Sequence, residues 1–321
     1  MKHSRQHRTV PLSGIAASIA GGHTTPSAIV EDCLTRIQRS ESSVLAWKFV
    51  DPHIRRHAAL LDDSGPVGPL HGIPIGVKDV FDTSDMPTTY GSSFYEGHQP
   101  ASDAAAVSIL RDAGALIVGK TVTTEFASVA PPVTRNPRNL DHTPGGSSSG
   151  SAAAVAADMV PVALGTQTAG SVIRPAAYCG VVGYKPTFGL VDRTGVKTLA
   201  QSFDTVGVFS RNVSDVALVT SVLANRPTLR NLSTPANLRF GLFLPPWLHL
   251  GQPCAGDIVL HTGALLRNAG YSVAAVSQIK GFDILLGAQE AVMDWDMRHA
   301  LFLNLSTVAT SYIRLRNKRL Q

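Results

Sequence analysis

Charge is sparse in this chain, cysteine is rarer still, and no apolar run is long. Asp, Glu, Lys and Arg make up 16% of the 321 residues, too few for a solvated or disordered chain, and 44% are hydrophobic, enough for a large core. The three cysteines, Cys33, Cys179 and Cys254, are widely spaced and odd in number. They argue against a disulfide framework and suit a reducing, cytoplasmic compartment. No stretch approaches the roughly 20 apolar residues that cross a bilayer, so no membrane role is expected. The early segment VPLSGIAASIA is interrupted by Gly and Ser and reads as mature structure, not a signal sequence.

Acidic residues are missing from both ends. Lys2, Arg5 and Arg8 open the chain, and Arg314, Arg316, Lys318 and Arg319 close it. Removing these seven from the 28 basic residues leaves 21 against 23 acidic ones, so the body is close to neutral. The net +5 therefore belongs to two solvated tails, residues 1–10 and 312–321, and no nucleic-acid surface is expected on the body. The tryptophans at 47, 247 and 295 are scattered and suit a core better than a stacking platform.

Alternating β and α patterns predict an α/β fold: a mixed, mostly parallel central sheet with helices on both faces. TPSAIVEDCLTRIQR places Ile29, Cys33, Leu34 and Ile37 on one helical face, with Thr25 and Pro26 as cap and first turn. GIPIGVKDVFD is a short apolar run with Lys78 at or just past its end. A helix from 102 stops at Gly114 and a strand follows over 115–118. Residues 149–157 read as helix, 160–165 as a buried strand, and 210–225 as a helix capped by Asn212. A β–α–β alternation over 239–276 completes the pattern. The loop 226–237 is the one plausible seam, and its shortness favours a single domain over 1–321.

Several motifs mislead. GALIVGKT formally matches the phosphate loop GxxxxGK[ST], but a helix precedes it and its intervening residues form a buried-strand run, leaving no open nest of N–H groups. His53 and His57 stand at i, i+4, yet two arginines lie between them and no third ligand is evident, so no metal is expected. His142 precedes Ser147 by five residues, but no acid is placed to orient its ring.

What remains is a pair of serines, Ser147 and Ser171, in a small-residue stretch running PGGSSSGSAAAVAADMVPVALGTQTAGSVIRPAAYCGVVGYKPT, with Lys78 upstream. A serine hydroxyl is a poor nucleophile until a base takes its proton. A lysine held among apolar groups can lose its own proton and act as that base, and glycines let backbone N–H groups approach a bound carbonyl. Alternation along the strand turns Asp79 to the face opposite Lys78, where its charge does not hold the ammonium. The pattern points to acyl transfer with no cofactor and no metal.

These long ordered blocks, together with GIPIGVKD and GALIVGKTVTTEFA, resemble the amidase signature hydrolases from about residue 11 to about residue 225, and more weakly beyond. Within that family the pattern is nearest to small-substrate bacterial amidases of the malonamidase type. The resemblance implies a serine–serine–lysine triad: Lys78 as base, Ser147 as proton relay across a cis Gly146–Ser147 peptide, and Ser171 as nucleophile. It implies an oxyanion hole from the backbone N–H groups of Thr168, Ala169, Gly170 and Ser171. It also implies a substrate site that includes Gln167 and Arg174, the arginine as a candidate clamp for a substrate carboxylate or, equally, a structural partner of nearby carbonyls. Against the family strings TDTGGS and GGSSGGS, Gln167 replaces an aspartate and Ala169 and Ser149 replace glycines.

The expected reaction is cleavage of a small carboxamide to carboxylate plus ammonia or amine. The alternatives are the A-type subunit of a glutamine-dependent tRNA amidotransferase and a truncated, inactive homologue. The near-neutral body and the string SVIRPAA speak for the small-molecule enzyme. Family enzymes extend well past the point where this chain ends, so a C-terminally short variant is expected, with a homodimer as one way to complete it.

Overall fold

The computed structural model describes residues 10–231, 237–277 and 279–302. The basic tails fall outside the described residues, apart from Val10. Two compact units form: Met1–Arg230 with Asp296–Gln321, and Asn231–Trp295. Their boundary lies within the 226–237 seam.

The larger unit begins with α1 (Leu12–Ala20), α2 (Pro26–Val44), β1 (Trp47–Val50), α3 (Ile54–Asp62) and β2 (Pro74–Lys78). It continues with α4 (Ala105–Asp112), β3 (Leu116–Thr121), α5 (Ser149–Ala156), β4 (Val162–Gln167) and α6 (Ile173–Cys179). Last come β5 (Val182–Tyr184), β6 (Thr205–Ser210) and α7 (Val213–Leu223). The six strands form one mixed sheet in the order β1-β3-β2-β4-β6-β5. Parallel pairing is confined to its centre, β3-β2-β4, while β1, β6 and β5 join antiparallel. That difference from a mostly parallel sheet arises because the residue pattern of a strand does not carry its direction, which is set by pairing.

Local chemistry sets the element ends as expected. Thr25 accepts the Ala28 N–H at 3.2 Å ahead of Pro26, and Asn212 accepts the Asp215 N–H at 2.8 Å. β2, β3, β4 and β6 are buried along their whole length, as central strands covered on both faces must be. On one face Trp47, Val118, Ala163 and Phe209 pack with Ile37 and Val44 of α2, Ala152–Val155 of α5, and Ala176 and Cys179 of α6. Elsewhere α7 lies against β6 and α4.

The small residues of α5 are a steric requirement. A Cβ on Gly150 would lie 2.2 Å from the Ala46 carbonyl oxygen and 2.3 Å from the Val122 nitrogen. Gly165 in β4 is similar, with Ser148 Oγ 2.7 Å from the position of a Cβ. Both allow the 147–150 turn to sit directly on the sheet.

The smaller unit holds β7 (Arg239–Phe243), α8 (Pro253–Asn268) and β8 (Ser272–Val276), with β7 and β8 parallel. α9 (Phe282–Phe302) starts in this unit, where Phe282 stacks on Trp247 with centroids 5.0 Å apart, and its last residues belong to the larger one. Among the described residues no helix is long and apolar enough to cross a membrane.

Candidate active site

β2 runs between β3 and β4, so its last residue, Lys78, leaves the sheet at the centre. The side chain is fully buried. Its Nζ bonds two hydroxyls, Ser147 Oγ at 2.8 Å and Thr166 Oγ1 at 2.7 Å. Burial among neutral groups pulls its pKa from 10.5 down to about 7, and the nearby Asp204 carboxylate opposes that shift. This is the environment expected for a lysine that must shed its proton near neutrality.

Asp79 does turn away from Lys78. Its carboxylate accepts from Thr89 N and Oγ1 and lies 3.4 Å from Lys120 Nζ. Lys120, the lysine of the phosphate-loop lookalike, is buried in β3 and also donates to the Phe81 carbonyl at 2.6 Å and to Thr88 Oγ1 at 2.5 Å. Burial lowers its pKa to about 8. These two charges are engaged with each other, on the face away from Lys78.

Ser147 is buried and its peptide bond with Gly146 is cis. Its carbonyl accepts from Thr124 N at 3.2 Å. Ser148 pins the turn to β4, its hydroxyl donating to the Thr166 carbonyl at 3.1 Å and its N–H to the Ser171 carbonyl at 3.3 Å. Ser171 is therefore brought from the β4–α6 loop against the 147–148 turn, and Lys78, Ser147 and Ser171 share one region. Among the described residues no hydrogen bond joins the Ser147 and Ser171 hydroxyls directly. Contacts of this kind commonly tighten around bound substrate.

Within the loop, the N–H groups of Thr168, Ala169, Gly170 and Ser171 find no acceptor among the described residues. Gln167 braces them. Its Oε1 accepts from Val172 N at 2.8 Å and Ile173 N at 3.0 Å, and its Nε2 donates to the Ala169 carbonyl at 3.1 Å. Both ends of that amide are thus spent inside the loop. Arg174 is exposed, and its Nε and Nη2 donate to the Gly146 carbonyl at 3.1 and 2.9 Å. That is the carbonyl-pairing arrangement, and it leaves Nη1 without an acceptor among the described residues.

Two residues of the site escaped the sequence reading. Thr166 is the second hydroxyl on Lys78, and Asp204 accepts from Thr168 Oγ1 at 2.5 Å. The string GTQTAGS carries Thr166 and Thr168 two apart at the end of β4 and just past it, a spacing that offered a cue. Asp204 carried none, because only the β4–β6 pairing brings it near.

The histidines lie apart from this region in role. His142 is exposed, and its backbone closes a turn with Asn136 and Asn139. His57 Nδ1 lies 3.1 Å from Asp51 Oδ2. Asp51, His57 and Asp85 hold one ligand-type atom each within 4.8 Å of one another, a grouping invisible in sequence, but both Asp85 oxygens already accept from Arg111 Nη2 at 2.7 Å. Cys33 and Cys179 are buried thiols with pKa raised to about 12, and Cys254 is exposed; all three are free.

Together, the sheet order and a buried lysine bonded to a serine hydroxyl define an α/β protein with a serine–lysine cluster at the centre of its sheet. Residues 28–239 match the Amidase family, and the chain belongs to it. It is 42% identical over 241 residues to the A-type subunit of the chloroplastic/mitochondrial glutamyl-tRNA(Gln) amidotransferase of Oryza sativa subsp. indica, covering 71% of this chain and 44% of that protein. Against the corresponding glutamyl-tRNA(Gln) amidotransferase subunit of Symbiobacterium thermophilum it is 45% identical over 236 residues, 68% of this chain and 48% of the relative. The chain thus spans about half the length of the curated relatives it matches. Among solved structures, native peptide amidase from Stenotrophomonas maltophilia superposes with a TM-score of 0.81 at 32% identity, covering 92% of this chain and 67% of that one.

Proposed function

We propose that this chain carries an amide-hydrolysing centre in which Ser171 is the nucleophile, Ser147 the relay and Lys78 the base. Ser171 Oγ attacks the amide carbonyl as its proton passes through Ser147 to neutral Lys78. The N–H groups of residues 168–171 stabilise the resulting oxyanion, and one such donor is worth about 3 kcal/mol in the transition state. Collapse breaks the C–N bond, and the proton returns through Ser147 to the leaving ammonia or amine. Water then attacks the acyl-enzyme by the same route and frees Ser171. The observation that carries this reading is the fully buried Lys78 Nζ, bonded to two hydroxyls and poised near pH 7. Gln167 shapes the loop in this scheme, and Arg174 supports Gly146 while its remaining nitrogen stays available to an acidic substrate.

The relatives bear on the setting of this chemistry. Sequence alone favours a small-molecule amidase, but the curated relatives at 42–45% identity are A-type subunits of amidotransferases. They support an ammonia-releasing component of a tRNA-dependent amidotransferase as the better reading. A near-neutral body is compatible with it, because contact with nucleic acid can fall to partner subunits. A stand-alone amidase is the second reading, favoured by the likeness to peptide amidase at 32% identity.

The test is ammonia release from glutamine, asparagine, malonamate and aryl amides, with S171A as control. It is paired with glutamine-dependent amidation of Glu-tRNA(Gln) in the presence of partner subunits. Glutamine-dependent amidation that requires Ser171 supports the amidotransferase reading, and hydrolysis of simple amides alone supports the second. Wild-type protein that turns over no amide in either assay, and takes no fluorophosphonate on Ser171, refutes both.

A further inference from the structure

The loop that carries the proposed oxyanion donors is held from outside by one carboxylate. β4 and β6 pair with Gln167 opposite Thr205, so the next residues on each side, Thr168 and Asp204, become neighbours. Asp204 Oδ1 accepts from Thr168 Oγ1 at 2.5 Å, and Oδ2 accepts from Leu199 N at 2.8 Å and Ala200 N at 3.0 Å. Its backbone is fixed too, with N–H to the Ala200 carbonyl at 2.9 Å and carbonyl to Arg193 Nη1 at 3.0 Å. Asp204 is 7% exposed, so this carboxylate has left water for these contacts.

We propose that Asp204 is a positioning residue that locks the Thr168–Ser171 loop to the turn before β6 and sets its negative charge beside the Lys78 site. This rests on the serine–lysine reading above. The side chain that fills the family's aspartate position here is Gln167, which is neutral and braces the loop from within. Asp204 is therefore the carboxylate that remains to the loop. Thr166, two residues before Thr168, bonds Lys78, so the end of β4 and the first residue of the loop join the base to the Asp204 anchor. The charged groups around it are few. Arg193 faces Asp204, while Asp79 is engaged by Lys120 and Thr89, and from β4 and the 147–148 turn Lys78 meets only hydroxyls. The Asp204 charge favours the ammonium form of Lys78.

The experiment compares T168V, T168S and D204N in the full chain, reading kcat and KM on a turned-over amide and the rate of fluorophosphonate labelling of Ser171, from about pH 5 to about pH 10. T168V removes the anchor and leaves the charge. It is expected to lower kcat and labelling by roughly 10- to 100-fold, with KM nearly unchanged and the acid limb in place. T168S keeps the hydroxyl and restores the rate. D204N is expected to lower the rate and also to move the acid limb to lower pH by up to about one unit, which a purely structural role does not do. T168V with wild-type rates overturns the anchoring role, and an unshifted limb in D204N overturns the electrostatic one; should D204N fail to fold, the T168V and T168S pair still decides the anchor. Wild-type protein that fails to label at Ser171 instead overturns the serine–lysine reading itself.

Discussion

Replacing Lys78 with methionine should destroy catalysis and stabilise the fold. Lys78 has an ordinary pKa of 10.5 and a folded one of about 7. Between those values the unfolded chain binds a proton that the folded chain does not, so stability rises with pH across this window and is lowest at and below pH 7. At about 1.4 kcal/mol per unit, the buried amine lowers stability by about 4 kcal/mol at pH 7. Methionine has similar length and no charge, so it removes that term. It also loses the two bonds to Ser147 and Thr166, about 0.5–1.5 kcal/mol each. The net gain is about 1–3 kcal/mol at pH 7, or roughly 2–10 °C in Tm for a unit of this size. Urea and thermal unfolding of wild type and K78M should show the gain shrinking as pH climbs through 10.5, above which the amine is neutral in both states. If K78M is no more stable than wild type at pH 7 and its stability has the same slope with pH, Lys78 is not a desolvated base and the catalytic reasoning fails with it.

The same shift predicts that kcat/KM rises with pH and reaches half its plateau near pH 7, since the neutral amine is the active form; a profile flat from about pH 5 to about pH 9 would contradict it. K120M leaves the Asp79 carboxylate buried without its cation and should cost about 3 kcal/mol, measured by urea unfolding, without removing any group that touches the proposed nucleophile. G150A places a methyl against the Ala46 carbonyl and the Val122 nitrogen, and should yield protein that unfolds at much lower urea or does not accumulate as a folded species. Q167A withdraws the acceptor from Val172 N and Ile173 N and should lower kcat more than it raises KM, whereas loss of a substrate contact would raise KM first.

Some of this protein is written in its chain order alone. Caps at Thr25 and Asn212, the buried run ending at Lys78, the Ala-rich α5 and the Gly-rich turns are local, and local steric and hydrogen-bonding rules read them directly. The motif blocks place Lys78, Ser147 and Ser171, and strand alternation sends Asp79 away from the lysine. Other features exist only once distant segments meet. Strand direction is not carried by residue pattern, and the antiparallel places of β1, β5 and β6 come from pairing with their neighbours. The β4–β6 pairing makes Asp204 a neighbour of Thr168, and the β2–β4 pairing gives Lys78 its second hydroxyl. The β2–β3 pairing likewise brings the lysine of the phosphate-loop lookalike to Asp79. Residue type and strand period are local, so chain order settles which groups are available for chemistry. What those groups can do is settled by the fold, because a pKa near 7 depends on what surrounds an amine once water is gone.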